Sequence, residues 1–171
     1  MNIFFLNKDP VKAARVQCDQ HVVKMILETA QMLSTVAHQH KYLGVTGIYK
    51  PTHANHPMTK WVNTHKNNYL WACEHGLALC DEYTKRYGKV HKSQKLIQIL
   101  HDLCKSVFCF RGMSFDGGEC NSTFITPPPL CMPDEFKQDD FVKAYNDYYR
   151  AKLVGWKRPP KWYRGDKNEK H

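Results

Sequence analysis

The stretch from Asp19 to Gln39 constrains this chain more than any other. Val22, Val23, Ile26, Thr29, Ala30 and Leu33 recur at helical spacing and predict one long helix. His21, Lys24 and Glu28 are three and four residues apart, so on that helix they form one polar stripe over two turns. A carboxylate beside an amine, partly shielded from water, can shift both pKa values and support acid, base or amine chemistry. The plainer alternative is a stripe that faces solvent with an ordinary Lys–Glu pair.

The rest of the chain predicts more helices. Asp9-Pro10 is a helix opening, with Asp as the cap and Pro in first position, for a short helix to about Cys18. Residues 41–57, with Gly44, Gly47, Pro51 and Pro57, predict a loop. A long helix is expected from about Met58 to Tyr87, stopped by Gly88, with Trp61, Tyr69, Leu70, Cys73, Leu77, Cys80 and Tyr83 or Thr84 inward. Gly76 inside it signals close packing or a local cost. Ser93 to Phe110 predicts another helix, with Leu96, Ile99, Leu100, Leu103, Val107 and Phe108 inward. Residues 111–138, rich in Gly and carrying Pro127-Pro128-Pro129, predict a loop, and Asp139 to Val154 a last helix. Met1 to Leu6 is apolar but too brief to classify. The expected class is all-α: a single compact helical domain over residues 1–171 with long ordered loops, and a basic, aromatic tail from about 155 to 171.

The formal net charge of +9 favours an anionic partner, nucleic acid before an acidic membrane surface. Lys85, Arg86, Lys89, Lys92 and Lys95 form one cluster. Arg150, Lys152, Lys157, Arg158, Lys161, Arg164 and Lys167 form a second, interleaved with Trp156, Trp162 and Tyr163. Aromatic faces stack on bases while cations hold phosphates, so this mixture points to duplex DNA. The seven cysteines are odd in number and show no CxxC, which predicts reduced core thiols in an intracellular compartment. No signal peptide or membrane-length apolar run is read, and a monomer is expected. Ten histidines invite a metal reading, but no spacing matches a known metal motif, so no metal or cofactor is expected. His53, Asn55 and His56 are read as donors at a pocket rim or as braces of their loop, and His75 as a packing histidine.

Four motifs then occur in an order that resembles the phage endonuclease V family of pyrimidine-dimer DNA glycosylases and abasic lyases. They are Asp19-Gln20-His21 with Glu28 seven residues after the histidine, Lys50-Pro51-Thr52 followed by His56, Asp81 to Gly88 with its acidic-then-Lys-Arg-Gly ending, and Arg158-Pro159-Pro160-Lys161-Trp162-Tyr163. The resemblance implies a compact helical fold and an N-terminal α-amine that attacks the anomeric carbon of a damaged nucleotide. A Schiff base and β-elimination follow, assisted by one glutamate, which by position is Glu28. The family's amine belongs to a small residue exposed when the initiator methionine is removed. Asn2 stands there in this chain and is expected to keep Met1 in place. Lys24, one turn before Glu28, is an alternative amine, and water activated by Glu28 a third route. The candidate catalytic residues are therefore Glu28, Lys24, His21 and Asn2. The candidate DNA-binding residues are Lys50, His53, His56, Lys85, Arg86, Arg158, Lys161, Trp162 and Tyr163. Two other classes stay open: a viral base-modification enzyme on the same scaffold, and a non-catalytic basic DNA-binding module.

Overall fold

The computed structural model describes residues 1–41, 44–106 and 124–163. These contain six α-helices and one 3-10 turn, and no strand among the described residues. The all-α expectation holds. Helix α1 (Pro10–Arg15) opens as predicted, with the Asp9 carboxylate accepting from the Val11 and Lys12 amides at 2.8 and 3.0 Å. Helix α2 (Asp19–Gln39) has no side-chain cap. Instead the chain's own tail satisfies one free amide, because Asp19 N donates to the Lys161 carbonyl at 2.8 Å.

The helix expected over 58–87 is two helices, α3 (Pro57–Thr64) and α4 (Lys66–Tyr87). Between them His65 is extended (φ −147°, ψ 144°), and its Nδ1 accepts from the Asn67 amide at 3.1 Å. An imidazole nitrogen here does the work usually left to Ser, Asp or Asn. The apolar periodicity runs through the break, so pattern alone could not expose it. His56 caps α3 in the same way, through Met58 N at 3.1 Å. Gly88 ends α4 at φ +64°, in the left-handed region that suits glycine. Helix α5 spans Gln94–Ser106, and the predicted remainder to Phe110 lies outside the described residues. A 3-10 turn (Asp134–Phe136) precedes α6 (Phe141–Val154), which Asp140 caps.

Helix α4 is the central post, packed by α1, α2, α3 and α5. Trp71, Ala72, Cys73, His75, Gly76, Leu79 and Cys80 are all buried along it. The close approach read from Gly76 is present: a Cβ there would sit 3.0 Å from Thr29 Cγ2 of α2 and 3.3 Å from Ile97 Cδ1 of α5. Helix α6 reaches the core through the N-terminal segment. Ile3, Phe4, Phe5 and Leu6 are buried. Phe5 stacks on Trp71 (4.4 Å) and meets Trp61 (5.1 Å) and Tyr145 of α6 (5.5 Å). Residues too few to classify in sequence thus form the layer between α6 and the other helices.

Cys18, Cys73, Cys80 and Cys104 are buried free thiols, and burial pushes Cys80 and Cys104 up to about 12, as inert core cysteines require. Cys131 is half-buried, while Cys109 and Cys120 lie outside the described residues. Among the described residues no helix is long and apolar enough to cross a membrane.

Arg86 departs from its expected place among the DNA contacts. Its side chain is 4% exposed, and its guanidinium makes five hydrogen bonds. They run to Glu82 twice, to the Asp19 carboxylate, and to the carbonyls of Arg15 and Gln17, so all five donors are used. Arg86 ties the end of α1, the start of α2 and the end of α4 together. Arg86→Ala leaves two carboxylates and two carbonyls without their cation. Urea denaturation is expected to show a loss of about 3–5 kcal/mol. A loss below about 1 kcal/mol would return Arg86 to the surface class.

Candidate active site

Glu28 lies at the centre of the polar stripe on α2 and is 15% exposed at its side chain. Three nitrogens converge on its carboxylate. The Asn2 amide donates to Oε2 at 3.1 Å, the Met1 α-amine is 3.7 Å from the same oxygen, and Lys24 Nζ is 3.4 Å from Oε1. Lys24 is 67% exposed, so the shielding inferred from sequence applies to the carboxylate and not to this amine. The Asn2 side chain holds the segment in place by donating from Nδ2 to the Cys131 carbonyl at 3.1 Å.

These groups face a cavity of about 220 Å³. Helix α2 contributes His21, Lys24, Met25 and Glu28, and the N-terminal segment Met1, Asn2 and Phe4. His56 enters from the start of α3, Cys131 from the segment before the 3-10 turn, and Tyr148 and Lys152 from α6. The two imidazoles are held neutral at pH 7. Burial takes His21 down to about 4, helped by the charges of Lys152 and Lys24. Its ring stacks on Phe4 (4.8 Å) and meets the edge of Trp156 (4.9 Å). Its Nδ1 is 2.8 Å from the Tyr149 hydroxyl, which accepts from the Cys18 amide at 3.0 Å and also lies 3.5 Å from Cys18 Sγ. His56 is also lowered, by burial first and then by the N-terminal amine and His53, against a raising effect of Glu28. Its Nδ1 is occupied as a helix cap, which leaves the proton on Nε2. The cavity therefore holds one carboxylate among three amines and two neutral imidazole rings.

The structure brings Glu28, Lys24, His21, Asn2 and His56 together. Lys50 and His53 lie on the exposed loop that leads to His56, with His53 at φ +50° and its Nδ1 2.7 Å from Thr52 Oγ1. Lys85, Arg158, Lys161, Trp162 and Tyr163 are exposed and belong to a second place, the start of α2. There Gln20 pairs with Pro159 O and Lys161 N at 3.2 and 3.0 Å, and Lys85 Nζ lies 5.5 Å from the centre of the Tyr163 ring. The two basic clusters seen in sequence thus meet, roughly 14 Å along α2 from Glu28 at about 1.5 Å per residue. Sequence reasoning missed the far wall of the cavity: Phe4, Cys131, Tyr148 and Lys152. Tyr148 and Lys152 share a face of α6 by spacing, but Tyr145 and Tyr149 do so equally well, and only the buried side of the helix separates the pairs. Among the described residues no three His, Cys, Asp or Glu side chains gather to hold a metal ion.

The sequence profile described as pyrimidine dimer DNA glycosylase matches residues 1–102 of the 171. The chain belongs to that family. DNA is the family's substrate class, and the resemblance carried by Glu28 and its neighbours is correct at that level. No curated protein and no solved structure matches the chain. The match covers the N-terminal segment, α1 to α4 and most of α5, and with them Met1, Lys24, Glu28 and His56. Cys131, Tyr148, Lys152 and the basic tail lie beyond the matched part, so this family member completes its cavity with residues outside the matched region.

Burial also lowers His75 of α4, to about 3. Both His21 and His75 thus have folded-state values below the ordinary 6.5. The unfolded chain then binds protons that the folded one refuses, so stability is intact above pH 6.5 and falls as pH drops toward 4. Each histidine steepens the fall by at most about 1.4 kcal/mol per pH unit. Melting temperature measured from pH 8 to 4.5 is expected to decline across that window, and a flat profile would contradict the burial of both rings.

Proposed function

We propose that this protein cleaves the N-glycosidic bond of a damaged pyrimidine in duplex DNA and then cuts the strand as an abasic lyase, with the Met1 α-amine as nucleophile and Glu28 as its acid–base partner. The observation that supports it most is the amine 3.7 Å from Glu28 Oε2, inside a cavity and on a family background of DNA glycosylases. In this reading the neutral amine attacks the anomeric carbon, the C1′–N bond breaks and the base leaves with its electron pair, taking a proton from solvent; the C1′–O4′ bond then opens, and an iminium joins protein to sugar. Glu28 takes the proton that the amine sheds and passes it to O4′ as the sugar ring opens; as a carboxylate again it takes the proton beside the iminium, so that β-elimination expels the 3′ phosphate oxygen. An anion next to the reacting carbon also stabilises its developing positive charge. Asn2 takes the nucleophile's place if Met1 is cut away, because its nitrogen is 3.1 Å from the same oxygen.

Lys24 is the competing amine, 3.4 Å from the other oxygen. The α-amine is the better reading on chemical grounds. As a class, α-amines shed their proton two to three pH units below lysines, and only a neutral amine attacks. In the same reading residues 1–171 act as a single domain that grips duplex DNA on both sides of the cavity. The Lys85–Tyr163 surface and the exposed Lys50–His53 loop supply those contacts.

Glu28→Gln keeps the size of the side chain and removes the base. It should fold and bind DNA normally and lower turnover by roughly a hundred- to ten-thousand-fold. Borohydride should trap the wild-type protein on abasic DNA, and peptide mapping should find the label on residue 1. Lys24→Ala should still be trapped, whereas a residue added ahead of Met1 should abolish trapping. Trapping lost in Lys24→Ala and kept in the extended protein would reverse the assignment, and no trapping at all would end the lyase reading. Duplex binding should weaken steeply with salt as counterions are released. Trp162→Ala should weaken binding to damaged DNA more than to intact DNA, as expected where an aromatic ring stacks on a displaced base. Equal losses on the two would make Trp162 a general-affinity residue.

A further inference from the structure

Helix α2 is covered at both ends. Its start is closed by the tail through Asp19 and Gln20. Its second half is closed by the loop before α3. Ser34 Oγ accepts from Tyr49 N at 3.3 Å, and Thr35 Oγ1 bonds both the amide and the carbonyl of Thr52 at 3.0 Å. Between these straps one window is open. Val23, Lys24 and Leu27 are the exposed residues of α2 up to its last residue. Two of the three are aliphatic: Val23 is 39% exposed and Leu27 42%.

They are four apart, so they stand one above the other as a ridge. Leu27 immediately precedes Glu28, about 100° round the helix from it. The ridge is therefore continuous with the rim of the cavity, with Lys24 beside it. Other exposed aliphatics, such as Val90 and Val154, have no such neighbour in the cavity. An uncharged ridge is conspicuous next to the reacting carboxylate of a chain with net charge +9. Phosphates would select lysine or arginine at such positions. A stacked base step, once opened, selects apolar side chains instead.

We propose that Val23 and Leu27 form an apolar wedge that enters the DNA base stack beside the nucleotide being processed. The proposal rests on the glycosylase reading above and adds the device that holds the duplex open. Glu28 can reach an anomeric carbon only if that nucleotide is displaced from its stacked position, and displacement leaves a gap. Leu27 fills the gap, Val23 backs it, and Lys24 neutralises a phosphate at its edge. The ridge extends roughly 6 Å along the helix axis, comparable to a base step opened from the ordinary rise of about 3.4 Å to about twice that by an inserted side chain.

The test uses a duplex with a tetrahydrofuran abasic-site analogue and 2-aminopurine opposite it, a base that brightens when unstacked. Saturating wild-type protein should brighten it several-fold, and Leu27→Ala should lose most of that signal, while Leu27→Met, which keeps an apolar chain of similar length, should retain it. Leu27→Ala should also slow cleavage of a lesion in duplex DNA by at least about tenfold. Its borohydride trapping on a single-stranded abasic oligonucleotide, where nothing must be opened, should match the wild type. Full brightening and full duplex activity in Leu27→Ala would overturn the wedge and leave the glycosylase reading standing. Wild-type protein that neither binds the duplex nor is trapped on single-stranded abasic DNA would overturn both.

Discussion

The burial of Ile3 to Leu6 is the constraint on which the rest depends. Phe5 is enclosed by Trp61, Trp71 and Tyr145, and Phe4 by His21 and Tyr149. Two large aromatic side chains bury several kcal/mol of apolar surface, and their rings accept few orientations. Chain ends usually fray, because nothing outweighs the entropy of ordering them. Here the anchor begins at residue 3, so residues 1 and 2 have little freedom, and Asn2 uses its amide and its side chain to fix what remains. The α-amine meets Glu28 because of aromatic packing one and two residues away.

The charge arrangement in the cavity follows from which groups are buried. Amines outnumber the single carboxylate, and the histidines add no charge at neutral pH because burial first, and then nearby positive groups, oppose it: Lys152 and Lys24 at His21, the N-terminal amine and His53 at His56. A site of this kind attracts a polyanion and keeps its one carboxylate close to the α-amine. His21 serves it from behind: Tyr149 orients the ring, Phe4 and Trp156 clamp it, and α6 is thereby joined to α2. That junction brings Lys152 and Tyr148 into the cavity.

The straps over α2 connect fold to function in another way. The tail and the loop before α3 are irregular segments whose polar backbone groups need partners, and α2 supplies them at Asp19, Gln20, Ser34 and Thr35. What stays open is the stretch with the Glu28 carboxylate behind it. The buried Arg86 network holds the start of the same helix against α1 and α4. The mouth of the cavity is thus set on a helix fixed at both ends, which suits chemistry that needs positions held to a fraction of an ångström.

Much of this was legible in the chain itself. Apolar period, Asp9-Pro10 and Gly88 located helices, Gly76 marked a close crossing, and the spacing of His21, Lys24 and Glu28 put them on one face. All of these are local consequences of helix geometry. Short motifs in the right order carried the family. The sequence could not separate the basic residue that binds outward from the one that binds inward. Arg86 and Lys85 are neighbours with the same charge, and only the positions of Asp19, Glu82 and the carbonyls of Arg15 and Gln17 decide between them. Nor could it reveal that His65 breaks a helix, since a histidine cap has no pattern of its own. The meeting of residue 1 with Glu28, and of both with Lys152, depends on contacts between segments far apart in the chain. Local propensity determined the elements and the stripe; the packing of Phe4, Phe5 and α6 decided that the stripe faces a cavity, because only long-range burial can choose which side of a helix is closed.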